Sequence, residues 1–192
     1  MNVGRLLLRL TVGTIFVEHG TQKLFGWFGG HGLDGTGQFF ESVGLRPGRR
    51  HALAAGTAET SGGILLALGL ATPLAAAELA SVMVTALRTA IWRGGIKIGT
   101  GGYEMLLLAS ALALAESGPG DWSVDAAAGT ERTGLRWAAA ALAAAAVGST
   151  VAIELGKRYV PPPADDAAAS PEGDGAAVPV DQETAAAGRD QR

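Results

Sequence analysis

Residues 3–26, VGRLLLRLTVGTIFVEHGTQKLFG, form an apolar run of membrane length that ends abruptly in Glu18, His19, Gln22 and Lys23. Ionisable groups at or inside hydrocarbon are costly and are usually kept for a function. A helix aligns positions four apart, so His19 and Lys23 share one face and Glu18 and Gln22 another. Such groups can bind a polar ligand or transfer protons. Three further sets are placed to join them. Glu59 has Gly56 three positions before it and Gly62 and Gly63 three and four after, so its face is one that admits a close helix neighbour. Glu78, Ser81, Thr85 and Arg88 follow an i, i+3, i+7, i+10 progression, a single polar stripe. Glu104 stands beside Tyr103. Each is expected to meet the His19/Lys23 face inside one bundle.

Plainer roles compete with chemistry at every position. Lys23, Arg93 and Lys97 have the placing of snorkelling anchors or cytoplasmic-side charges. His19, close to a helix end, needs no more than a backbone carbonyl as partner. An unpaired carboxylate in a membrane interior is strongly disfavoured, so Glu59 and Glu104 are expected to pair with a cation or stay protonated. A structural ion pair is the favoured expectation over catalysis. His31 and His51 sit in connections without a spacing signal, and Trp92, Trp122 and Trp137 fall at segment ends, as an aromatic belt would.

The elements that must position these groups are apolar stretches at 3–25, 52–71, 74–92, 102–117 and 135–155. A spanning helix needs about 20 largely apolar residues. The first, second and fifth meet that length; the third carries Glu78 and Arg88; the fourth is short and spans with help from its flanks. Arg5 and Arg9 ahead of an apolar centre have the outline of a signal peptide, but no A-x-A-like site follows, so an uncleaved helix is expected. Between the first two spans, Thr36 is placed to cap a short interfacial helix containing Phe39, Phe40, Val43 and Leu45, ended by Gly44 and Pro47. Ala71-Thr72-Pro73 forces the second and third spans into a tight hairpin. GGIKIGTGG (94–102) is expected to be a flexible connection. It lacks the Gly-Lys-Ser/Thr ending of a nucleotide-binding loop.

Composition fits a membrane protein. Of 192 residues, 48% are hydrophobic and 17% charged, with mean hydropathy +0.25. Soluble domains carry about 25% charged residues. The net charge of −3 is concentrated in a tail, 159–192, poor in large apolar residues and expected to be disordered. With five spans, the lysine and arginine distribution places that tail in the cytoplasm and the N-terminus outside. No basic, aromatic-studded stripe points to nucleic acid. The chain has no cysteine, which excludes disulfides, cysteine-ligated zinc, iron–sulfur clusters and a thiol relay carried by the chain itself. No metal, haem or flavin motif is visible.

EHGTQKLFGWFGG, AETSGGILLALGLATPLAAA, YEMLLLASALAL and GPGDWSVD, in this order, resemble the DoxX family of bacterial membrane proteins across roughly residues 4–126. The residues carrying the resemblance include Gly20, Gly26, Gly62, Gly63, Gly118, Trp122 and Asp125. It implies an all-α, multi-pass bundle in the bacterial plasma membrane with a four-helix core within 1–126. The apolar stretch at 135–155 adds a helix within 127–158, and that helix and the tail lie beyond the shared core. The resemblance also implies a subunit or accessory of a membrane oxidoreductase complex linked to redox stress. On that reading His19, Lys23, Glu59 and Glu104 bind quinone carbonyls and move protons, and electrons arrive from a soluble redox partner. Glu18, Glu78 and Arg88 complete the expected polar pocket. The competing expectation is a non-catalytic scaffold or small-solute carrier whose ion pairs set helix register.

Overall fold

The computed structural model describes residues 3–92 and 98–160. Every regular element among them is helical. The long helices are α1 (Val3–Phe25), α3 (Gly48–Leu68), α4 (Thr72–Trp92), α5 (Ile98–Ser117) and α7 (Leu135–Arg158). Between them lie a one-turn 3-10 helix at Trp27–Gly29, α2 (Gly32–Ser42) and α6 (Val124–Ala127).

Glycine decides how α1 meets α3, the most extensive contact in the bundle. A Cβ on Gly13 would lie 2.7 Å from Gly63 O, and one on Gly20 would lie 2.7 Å from Gly56 O. Backbones this close leave no room for a side chain, so the small face around Glu59 is used as the sequence implies. It is divided, however: Gly56 and Gly63 face α1, whereas Gly62 lies under Leu79 of α4. The α3 helix ends on Gly69, in the left-handed region at φ 65°, with the Gly69 and Leu70 amides donating to the Leu66 and Leu65 carbonyls. Residues 69–71 alone then separate it from α4, which gives the expected hairpin.

The core is built where these helices converge. Phe16, Leu66, Leu79 and Leu114, drawn from α1, α3, α4 and α5, are fully buried together. A second cluster joins Ala76, Ala111 and Ala115 to Ala138 and Ala141 of α7. The last long helix therefore packs against the bundle through α4 and α5. Facing outward instead are Leu7, Leu10, Ile64, Leu74, Leu106, Leu142, Val147 and Leu155, all exposed. Water-facing surfaces rarely carry so many large apolar side chains, whereas lipid-facing ones do. By length and composition alone, one helix among the described residues, Leu135–Arg158, is apolar enough to cross a membrane.

Several boundaries differ from those expected. The short helix expected around Thr36 begins at Gly32, a turn earlier, and Val43 and Leu45 lie beyond its end. Gly44, at φ 89°, does close it, with the Leu45 amide donating to Phe40 O. The fourth apolar stretch is extended backward to Ile98, making a 20-residue helix, so 98–102 is helical rather than a loose connection. At about 1.5 Å per residue this helix reaches membrane thickness. Arg93 and Lys97 lie outside the described residues, as does the tail from 161 onward.

Candidate functional site

A cavity of about 1180 Å³ opens among α1, α2, α3, α4, α5 and α7. The end of α1 places His19, Gln22 and Lys23 on it, one helical turn apart, as the four-residue period requires. From α3 comes Glu59, only 1% exposed, whose Oε2 accepts a hydrogen bond from Lys23 Nζ at 2.5 Å. Lys23 also reaches back to the carbonyl of His19 at 3.4 Å. Lys23 is thus an ion-pair partner between helices, with its side chain still partly exposed. Tyr103 and Glu104 arrive from α5, the Tyr103 ring 5.6 Å from the His19 ring at a tilt of 59°. Glu78, Ser81 and Thr85 line the cavity from α4, with Glu78 Oε2 3.3 Å from the Ser61 hydroxyl. Apolar walls come from Phe39, Phe40, Val82, Met83 and Leu107, and from Ala144, Gly148 and Ala152 on successive turns of α7.

Of the expected pocket, His19, Lys23, Glu59, Glu78 and Glu104 are brought together. Two residues are not. Glu18 is exposed and holds Gln22 Nε2 at 3.2 Å on the neighbouring face of α1. Arg88 turns away from Glu78 and donates to the hydroxyls of Ser149 and Thr150 on α7, at 3.1 and 3.0 Å. The docking of α7 against α4 captures the guanidinium, which periodicity along α4 cannot reveal. His51, without a spacing signal, also reaches the cavity, because α2 folds back onto α3.

A second polar constellation closes the other end of the bundle. Arg9 is 3% exposed, and its guanidinium serves three carbonyls: Ala67 O from Nε at 2.9 Å, Pro119 O from Nη1 and Trp122 O from Nη2, both at 2.6 Å. Asp125 accepts from the amides of Ala71 and Thr72 at 2.9 and 3.1 Å, and from the hydroxyls of Thr72 and Thr130. Burial alone would raise the Asp125 carboxyl, but these donors outweigh it and hold it below its ordinary value. Ser123 caps α6 by accepting from the Ala126 amide. The GPGDWSVD segment is therefore a strap fastening α5 to α1 and to the α3–α4 turn. Gly118, at φ 80°, turns the chain out of α5, while the Trp122 side chain stays 63% exposed. In the sequence Arg9 reads only as a charge ahead of an apolar centre; its buried role has no local signal. Trp137 lies beneath the guanidinium groups of Arg132 and Arg136, 4.9 and 5.7 Å from its ring centre.

Comparison with known proteins bears on this architecture. A family model described as DoxX matches residues 4–92. A Bacillus subtilis (strain 168) protein described as "Putative oxidoreductase CatD" is 34% identical over 116 residues, covering 60% of this chain and 80% of that protein. The chain belongs to the DoxX family. It is accordingly a membrane protein, in keeping with the exposed apolar surface of its helices. The DoxX match takes in α1 to α4, hence Lys23, Glu59 and Glu78, but not α5, the strap or α7. No solved structure matches the chain.

Proposed function

We propose that this DoxX protein is a multi-pass subunit or accessory of an oxidoreductase complex in the bacterial plasma membrane, and that its cavity holds an amphipathic redox molecule of the quinone class. The observation that carries the proposal is the cavity itself. It joins apolar walls to an end bearing His19, Lys23, Tyr103 and two carboxylates. That combination suits a ligand with a greasy body and a carbonyl-bearing head. A bound quinone would supply two-electron, two-proton redox chemistry. Lys23 and Tyr103 have the donors to orient carbonyl oxygens. Glu59 and Glu104 have the carboxylates to hold or release a proton at the same end. With no haem, flavin or iron–sulfur motif visible in the sequence, electrons are to come from a partner protein. The relative described as an oxidoreductase supports a redox role in general terms.

The ion pair between α1 and α3 favours a second reading, a non-catalytic scaffold or solute carrier in which Lys23 and Glu59 set helix register. Purification from membranes under mild detergent, with extraction of bound lipids and identification of co-purifying proteins, separates the two. Quinone or a redox protein retained by the native chain and lost in His19→Ala supports the redox reading. Protein that carries neither, with cellular resistance to oxidants unchanged in His19→Ala and Glu59→Gln, refutes it.

A further inference from the structure

We propose that the cavity is a site for a lipophilic cation, an amphiphile whose apolar body carries a protonated amine or comparable positive head. This rests on the cavity being a ligand site, as in the function proposed above, but names a charge that a quinone lacks. The charge balance around the cavity carries the inference. Carboxylates reach it from three helices: Glu59 on α3, Glu78 on α4 and Glu104 on α5. Among the described lining residues the only lysine or arginine is Lys23, and it is committed to Glu59 at 2.5 Å. Glu78 is met by a neutral donor, the Ser61 hydroxyl, and Arg88, the cation of its own helix, is bound to α7. No hydrogen bond reaches the Glu104 carboxylate among the described residues. Among the described residues, two carboxylates thus face a largely apolar cavity without a lysine or arginine partner.

Such groups are costly to enclose, and the electrostatic gain on pairing rises as water is excluded. A positive head between them would be stabilised and a negative one repelled. Tyr103 and Phe40, both on the cavity wall, add ring faces of the kind that attract cations. A neutral head group would leave both carboxylates as they are.

The test uses the full chain in lipid nanodiscs and two probes of nearly equal shape and opposite charge, tetraphenylphosphonium and tetraphenylborate, each measured against empty nanodiscs. Decylubiquinone serves as a neutral third probe. Saturable binding of the phosphonium, at least about tenfold tighter than that of the borate, is expected. Glu78→Gln and Glu104→Gln should each weaken phosphonium binding at least about threefold, with unchanged melting temperature and gel-filtration profile. Equal affinity for both ions, or phosphonium binding indifferent to both substitutions, overturns the inference; the ion comparison on the unaltered protein needs no variant. Binding of decylubiquinone without the phosphonium would refute the cation site and leave the redox proposal standing. The reverse pattern would refute quinone binding and leave the cation site standing.

Discussion

Lys23 Nζ lies 2.5 Å from Glu59 Oε2, joining the end of α1 to the middle of α3 where Glu59 is almost wholly enclosed. The pair sits one turn from the Gly20–Gly56 contact, so the same helix approach that expels side chains also delivers the ammonium to the carboxylate.

Removing one partner should cost more than removing both. Glu59→Gln leaves the ammonium of Lys23 without its counter-charge and is expected to destabilise the protein by about 3 kcal/mol. The double replacement Lys23→Met with Glu59→Leu should recover most of that, because neither charge then has to be desolvated. Thermal unfolding of the three proteins in one detergent measures the difference. A single substitution no worse than the double would show that the pair is incidental.

Arg9 should be among the most sensitive positions in the chain. Arg9→Met keeps the stem but strands the carbonyls of Ala67, Pro119 and Trp122, each of which loses a charge-assisted donor. A loss of about 3 kcal/mol or more is expected, with faster proteolysis between 118 and 134. Arg9→Lys should rescue little, since an ammonium lacks the planar fork that spans three carbonyls. A fully stable lysine variant would contradict this account.

Asp125 ties stability to low pH. Its carboxyl is held below the ordinary value of 3.8 by the donors around it, so the stabilisation is fully present above that value. As the pH falls below 3.8 the unfolded chain takes up the proton first, and the contribution disappears as the pH passes through the folded value. Asp125→Asn should cost about 2 kcal/mol at neutral pH and flatten this acid limb. The melting temperature followed from pH 7 to pH 3 in both proteins is the measurement, and parallel curves would remove Asp125 as the cause.

The contribution of α7 to the cavity can be tested by size. Ala144→Leu and Ala152→Leu each extend a side chain into space now lined by small residues. Both should weaken binding of a bulky apolar ligand by about tenfold while changing stability by about 1 kcal/mol or less, as no packed neighbour has to move. Titration with tetraphenylphosphonium or decylubiquinone reads the effect. Unchanged affinity for whichever probe binds would place the ligand away from α7.

The helices and most of the polar candidates were legible because both are local properties. The run through 3–25, the small-residue flanks of Glu59 and the brief 71–73 connection dictate a helix, a close-packing face and a hairpin. The helical period put His19 and Lys23 on one face, and the bundle keeps them there. Gly44 was legible as a stop, since its left-handed conformation suits glycine. The start at Gly32 was not: no side chain caps it, and Thr36 lies inside the helix rather than at its end.

By itself, then, the sequence determined an all-helical chain with a lipid-compatible surface and ionisable groups near its interior. It offered Lys23 three carboxylates, and although glycines marked the face of Glu59 for close packing, nothing local said which helix would meet that face. Only the tertiary structure chose, through the close α1–α3 approach that the glycines permit. It also sent Arg88 to α7, buried Arg9 beneath the strap and released Glu18 to the surface. Those outcomes depend on the rotation of each helix about its axis and on partners more than 30 residues away. The helical period is the same whichever neighbour a face eventually meets.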